Sequence, residues 1–173
     1  MVHSFTGEYK RVRLIPLTEV DIEALRILRN EPYNRKWFVY SNEILEVEQE
    51  KWFKEYNVAS DDFMFSVRHV DNPEKFIGAV AIYNVDFTNL TAEFGRIIID
   101  SGAHEDRGLG LDTTVCALNI GFKMMNLREI YLEVYADNKR ATKVYLKAGF
   151  KEISIDKNSN ILYMKISKEE FQI

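Results

Sequence analysis

Two short stretches of this 173-residue chain place reactive or ligand-holding groups at suggestive spacing. The first is Arg107-Gly108-Leu109-Gly110, just ahead of an apolar run with helical period. Amide groups at a helix start have no intrahelical partner and point outward, which suits phosphate oxygens. Glycines let the backbone come close to such a group without a Cβ in the way. The same two glycines also suit a plain turn. No Gly-Lys-Ser/Thr follows, so this is not a Walker loop, and the three-glycine spacing of a dinucleotide fingerprint is missing. The second stretch is Asn138, Ala141, Tyr145, Gly149 and Phe150. Asn138 is placed either to cap a helix or to reach a ligand amide. Tyr145, one turn beyond Ala141, is either core or a proton donor.

Cys116 is the only cysteine and there are three scattered histidines. That excludes an intramolecular disulfide and a Cys-rich zinc site, and no metal is expected. Cys116 falls at a buried helical position, with no visible base partner for a nucleophilic thiolate.

Taken together, the two stretches resemble the GCN5-related N-acetyltransferase (GNAT) superfamily. Its phosphate-binding motif, Gln/Arg-x-x-Gly-x-Gly/Ala, corresponds to Glu105-Asp106-Arg107-Gly108-Leu109-Gly110. Both glycine positions match; the first position is Glu105, and Arg107 supplies a positive charge inside the loop. The later motif, Asn-x-x-Ala-x-x-x-Tyr-x-x-x-Gly-Phe, is matched at every named position. The resemblance implies a mixed α/β (α+β) GNAT fold: a mostly antiparallel twisted sheet of about seven strands with helices on both faces. It also implies acetyl-CoA as co-substrate, lying in a V-shaped cleft between the strands Ala92–Ile99 and Ile130–Tyr135. Backbone groups at Ile97, Ile98 and Ile99 would pair with the pantetheine amides. The amides of Arg107, Gly108, Leu109, Gly110 and Leu111 would hold the pyrophosphate, and Asn138 would contact the pantetheine arm. Tyr145 would protonate the leaving thiolate.

Acetyl transfer needs an uncharged amine and stabilisation of a developing oxyanion. A carboxylate, directly or through water, suits the base role. Glu93, on the acceptor side in relatives, is the first choice and Glu133 the second; the plain alternative for Glu93 is an exposed strand carboxylate. The N-terminal half shapes the acceptor site in this superfamily. Here Arg29-Asn30, Trp37 and Trp52-Phe53 resemble the RimJ/RimL-like branch, and most of all the amino-sugar N-acetyltransferases of pseudaminic acid synthesis, although Gln49 stands where those often carry His. Arg29, Arg35 and Lys36 would then hold a nucleotide diphosphate, with Asn30 beside them and Trp37 or Trp52 stacking on a base or sugar. The plain alternative is that both tryptophans are core. The stretch from Ala92 to Ile99 also resembles spermidine acetyltransferases, whose polyamine pocket would use carboxylates such as Glu43, Glu46, Glu48 and Glu50; such a run equally forms a solvated helix face. Expected, then, is an N-acetyltransferase for a small-molecule amine, with a polyamine or a protein N-terminus as alternative acceptors. A non-catalytic acyl-CoA-binding module is the alternative of another class, which an intact Tyr145 argues against. A homodimer is compatible with the resemblance.

These residues need a scaffold, and the pattern supplies one. Val12 to Leu17 reads as a strand. Thr18-Glu19-Val20-Asp21 resembles a capping box ahead of Ile22, Leu25 and Leu28 at helical spacing, which Pro32 ends. Arg35 to Tyr40 is a short helix or loop, and Leu45 to Tyr56 a helix. Phe63 to Val67, Phe76 to Val85 and Ala92 to Ile99 read as strands, with turns at Asp71-Asn72-Pro73 and Asp86 to Asn89. Leu111, Val115, Leu118 and Phe122 predict a helix with one buried face. A strand at Ile130 to Tyr135, a helix through Ala141 and Ala148 closed by Gly149, and strands at Phe150 to Ile155 and Ile161 to Ile166 complete the order.

The length suits a single domain spanning residues 1–173. With 46% hydrophobic and 13% aromatic residues, a mostly disordered chain is excluded. A net charge of −4 argues against a nucleic-acid partner. No stretch approaches a membrane span or a signal peptide, so no membrane association is expected and the expected location is cytoplasmic.

Overall fold

Strict alternation of buried side chains along the central strands divides the apolar residues between two cores, one on each face of a single sheet. On β3 (Phe63–His69) and β4 (Asn72–Asp86), Met64, Ala79 and Ala81 face one core, while Phe65, Val67, Val80 and Ile82 face the other. The computed structural model describes residues 3–100, 102 and 108–172. The remaining strands are β1 (Gly7–Tyr9), β2 (Val12–Pro16), β5 (Thr91–Ile99), β6 (Glu129–Tyr135), β7 (Lys151–Asp156) and β8 (Ile161–Ser167). Their order is β1-β2-β3-β4-β5-β6-β8-β7, and every pair is antiparallel except β5–β6. Among the described residues the sheet has eight strands, one more than the roughly seven expected. The strand the sequence hides is β1, three residues long with Gly7 at its start, too short to show a period.

Helices cover both faces. On one side α1 (Ile22–Asn30), α2 (Pro32–Arg35) and α3 (Glu46–Tyr56) enclose the smaller core, where Leu25, Leu28, Phe53 and Tyr56 meet Leu17, Met64 and Ala81. On the other side lie α4 (Leu109–Asn119), which runs into a π-helical turn at Ile120–Met124, and α5 (Lys139–Ala148). The predicted single buried face of α4 is corrected. Residues from Asp112 to Leu118 are all buried, because α4 is covered by β1, β2, β4, β5 and α5 together.

A second correction concerns Thr18 to Asp21. These residues form a 3₁₀ turn, and Thr18 makes no side-chain cap. Asp21 is instead buried at 3% exposure, where it pairs with Arg68 and accepts a 2.6 Å hydrogen bond from Ser66 Oγ. Arg68 also donates 3.0 Å to the carbonyl of Glu74. The pair ties the start of α1 to the centre of the sheet. The turn at residues 70–71 is tighter than predicted, since Asn72 already pairs with His69. Removing one partner of a buried pair strands the other charge. We therefore predict that Asp21→Ala lowers unfolding free energy by about 3–5 kcal/mol in urea titration.

Candidate active site

β5 pairs with β6 through only three residues: Thr91 with Glu129, Ala92 with Ile130 and Glu93 with Tyr131. Beyond Glu93 the two parallel strands part, and β5 continues against β4 alone. Two features of β5 accompany the divergence. Ala81 pairs with Gly95 and Ala79 with Ile98, so β5 holds one extra residue at this point, and Arg96 takes φ +51° there. The bulge inverts the strand's parity. Ala92 and Phe94 belong to the α4–α5 core, but beyond the bulge it is Ile98 that joins the α1–α3 core. Arg96 Nη1 holds Asp62 at 2.6 and 2.9 Å, and the guanidinium lies 4.1 Å over the Tyr83 ring. Gly78 lets β4 fit this shape: a Cβ there would stand 2.2 Å from the Ile98 carbonyl oxygen.

The gap joins two cavities. One, of about 850 Å³, lies between the fork and the helical wall made by α1, α3 and the 37–44 loop. The other, of about 650 Å³, runs along Ile97, Ile98 and Ile99 to Gly108, Leu109 and Gly110. Ile97, Ile98, Trp37, Asn138, Ala141 and Tyr145 line both, so they mark the junction. Tyr145 reaches the junction from α5, on the opposite face of the sheet from Glu93. It is 6% exposed and packs edge-on against Phe94 and Phe150, with centroids 5.9 and 6.0 Å away. Burial pushes its phenol pKa up, so the hydroxyl keeps its proton at neutral pH.

At the fork, Tyr83, Glu93, Tyr131 and Glu133 share the face turned toward α1 and α3. Glu93 is engaged at both oxygens: Tyr83 Oη donates to Oε1 in a short bond, and Asn84 Nδ2 donates to Oε2 at 3.0 Å. The Tyr83 phenol is pushed up by burial and by this carboxylate. The Glu133 carboxyl is also raised, by burial first and then by the negative charge of Glu93.

Of the remaining predicted site residues, Arg29 and Trp52 line the larger cavity; Trp52 is stacked on Tyr56 at 5.5 Å. Asn30 lines neither. Its amide is spent on Ile44, donating 2.8 Å to the carbonyl and accepting 2.8 Å from the N–H, which pins the 37–44 loop to α1. Leu111 follows Gly110 into α4 without lining either cavity. Arg107, with Glu105 and Asp106, lies outside the described residues. Gly108 has φ +105° at the head of α4, and a Cβ on Gly110 would meet nothing within 4 Å. Asn138 caps α5, its Oδ1 accepting from the Ala141 N–H at 3.2 Å. Of the glutamate run, only Glu48 lines the cavity; Glu43, Glu46 and Glu50 are solvent-exposed. Burial pushes the Cys116 thiol up to about 12, which leaves it unreactive. Among the described residues no cluster of His, Cys, Asp or Glu is placed to hold a metal, and no helix is long and apolar enough to cross a membrane. The sequence reading named Gln49 only as a departure from the amino-sugar enzymes, and it missed Tyr83, Asn84 and the Asp62–Arg96 pair. For the last, a glycine inside a strand, Gly95, was the available sign of a bulge.

A parallel pair that splays within a mostly antiparallel sheet, beside a glycine-headed helix, defines the class. The profile of the acetyltransferase (GNAT) domain matches residues 11–151, and the chain belongs to this family. It is 31% identical over 115 residues to spermidine N(1)-acetyltransferase of Vibrio cholerae serotype O1, covering 58% of this chain and 64% of that enzyme's length. It is 33% identical over 73 residues to the enzyme of the same name from Escherichia coli K12, covering 42% and 38% of the two chains. Among solved structures, the Vibrio cholerae spermidine N-acetyltransferase with CoA and spermine superposes with TM-score 0.81, at 22% identity over 93% of this chain and 98% of that one. Apo FdhC, a nucleotide-linked sugar GNAT, superposes with TM-score 0.83, at 21% identity over 98% and 93%. At these identities the superpositions speak to the fold.

The close approach at Gly78 sets the geometry of the fork. We predict that Gly78→Ala, which forces backbone movement, destabilises the protein by about 1–3 kcal/mol in thermal or urea unfolding.

Proposed function

We propose that the protein is an acetyl-CoA-dependent N-acetyltransferase that passes acetyl directly to a primary amine. The observation that carries this reading is the junction. Tyr145 comes from one face of the sheet and the Glu93–Glu133 pair from the other, and the open fork lets both address one point between two cavities. Acetyl-CoA supplies the acetyl thioester. The smaller cavity fits an elongated ligand with a phosphate end: unobstructed space at Gly110 and the amides at the head of α4 receive the pyrophosphate. Ile97, Ile98 and Ile99 line the pantetheine path on the side of β5 that β6 has left, where backbone groups pair with its amides. Asn138, having spent Oδ1 on its own helix, offers Nδ2 to the same arm.

The amine enters from the larger cavity. Its ammonium form is held by Glu93 and Glu133, and one proton must leave before nitrogen can attack. Glu133 takes that proton, because its raised pKa makes it a stronger base than an ordinary carboxylate and Glu93 is committed to Tyr83 and Asn84. Nitrogen then bonds to the acetyl carbon, the carbon–sulfur bond breaks, Tyr145 delivers its proton to the departing sulfur, and the phenolate so formed takes up the second proton that the new amide nitrogen loses. Recovery of the amide proton by the phenolate offsets a transfer that is uphill by itself, because the buried phenol holds its proton more tightly than an ordinary thiol of pKa about 8.5.

For the acceptor we propose a nucleotide-linked amino sugar, which the cationic Arg29 and the aromatic Trp37 and Trp52 in the larger cavity support. A polyamine is the second reading, favoured by the spermidine N(1)-acetyltransferase relatives and by the two carboxylates at the fork.

Tyr145→Phe is expected to lower turnover about a hundredfold while acetyl-CoA affinity, measured by calorimetry, stays the same. Unchanged turnover would remove Tyr145 from the acid role, and an absence of any turnover in the unmodified protein with acetyl-CoA bound would favour a binding module. The pH dependence separates the two carboxylates. Only ionised Glu133 can accept the proton, so kcat/KM falls as pH drops through its raised pKa. Replacing Glu93 by Gln removes the neighbouring negative charge and lowers that pKa. The acid limb of the profile should therefore move to lower pH in Glu93→Gln relative to the unmodified enzyme, while Glu133→Gln should lose the limb.

A further inference from the structure

The charged groups that line the larger cavity are almost all spoken for within the protein. Arg96 is paired with Asp62, and Lys51 lies 3.9 Å from Glu55. Glu48 accepts the N–H of Leu45 at 2.7 Å, and Glu93 is held by Tyr83 and Asn84. Two remain among the described residues: a carboxylate with neither a counter-charge nor a hydrogen-bond partner, and a cation with no carboxylate partner. Glu133, at the fork, is the negative one. Arg29, on the helical wall, is the positive one.

Arg29 is held in place without being neutralised. Nη2 donates to the Tyr40 carbonyl at 3.1 Å, and the guanidinium lies 3.4 Å over the Phe38 ring. Nη1 is buried and has no hydrogen-bond partner. Burial alone drives the Arg29 pKa down to about 10, with no carboxylate to offset it. A half-buried cation without a counter-charge is unfavourable, and an anion entering from the cavity would relieve it. Gln49 on α3, 6% exposed and lining the same cavity, has a second unspent donor in Nε2. A polyamine brings only further positive charge and hydrogen-bond donors, and it would leave both of these groups unsatisfied.

We infer that Arg29 and Gln49 form an anion-binding subsite, and that the acceptor carries a phosphate or diphosphate group in addition to its reacting amine. The inference deepens the acetyltransferase reading and rests on it only for what happens at the amine; the anion subsite can be measured without turnover. An amino sugar phosphate and a nucleotide-linked amino sugar share this chemistry.

The test uses the full chain saturated with CoA, so that the pyrophosphate loop is filled. Binding of glucosamine, glucosamine 6-phosphate, UDP-glucosamine and spermidine is followed through the fluorescence of Trp37 and Trp52. Either phosphorylated sugar should bind at least about tenfold tighter than glucosamine. Preference for UDP-glucosamine over the 6-phosphate would assign the subsite to a nucleotide diphosphate, and the reverse to a sugar phosphate. Arg29→Met should erase the advantage of the phosphorylated sugars, leave glucosamine unchanged, and leave CoA affinity intact as the control for folding. Gln49→Leu should weaken the same ligands more mildly. Spermidine as the tightest ligand, no binding by either phosphorylated sugar, or an equal loss for all four ligands in Arg29→Met would overturn the inference. Binding that follows Arg29 without any acetylation would keep the subsite and sink the transfer reading. Acetylation that ignores Arg29 would do the opposite.

Discussion

The site depends on a strand that keeps one neighbour and abandons the other. β5 stays paired with β4 across its length, while its parallel pairing with β6 ends at Glu93. A continuous sheet is a wall between its two faces, and side chains on opposite faces cannot meet. Once the wall is split, Tyr145, in the core under α4 and α5, and Glu133, on the side of α1 and α3, border the same opening. The extra residue at Arg96 and the missing Cβ at Gly78 are the local terms that let β5 follow its path. The Asp62–Arg96 pair and the Tyr83 ring hold the bulge from the side of the larger cavity.

The helical wall is built by different means. Polar contacts position it: the buried Asp21–Arg68 pair anchors the entry to α1, and Asn30 clasps Ile44 from the end of the same helix. Small residues line the sheet beneath, with Ala79 and Ala81 leaving room for Leu25, Leu28 and Phe53. The result is a cavity with a firm floor and a wall stitched by hydrogen bonds, to which Arg29 is added with its charge uncompensated. A stability argument alone would not put a cation there.

Much of this was legible from the residues. The order of helices and strands followed from apolar period, and the Asn138 to Phe150 spacing pointed to the fold before any geometry. What escaped did so for physical reasons. β1 is shorter than the window in which a period can be seen. Asp21 reads as a capping residue because local sequence cannot show Arg68, 47 positions away, closing on it. The one-sided reading of α4 failed because the Asp, Thr and Cys of its other faces look polar or neutral in sequence, yet Asp112 is buried against Arg11. The engagement of Glu93 depends on cross-strand register between β4 and β5, which no spacing rule along one chain reports. Asn138 is a case where both sequence readings are compatible, since capping uses its oxygen and leaves its amino group for a ligand.

The parity change at Arg96 has a consequence for how this segment can vary over descent. Most positions in a loop accept an inserted or lost residue with little effect. Along β5 the two residues between Gly95 and Ile98 stand opposite the single residue between Ala79 and Ala81, and that surplus is the bulge. Losing one residue there would leave Ile98 opposite Ala79 and on the same face, but would remove the bulge that lets β5 follow its path away from β6. The stretch is therefore open to changes of letter and closed to changes of length. Related chains should show a variety of side chains at this point in an alignment, but no gap.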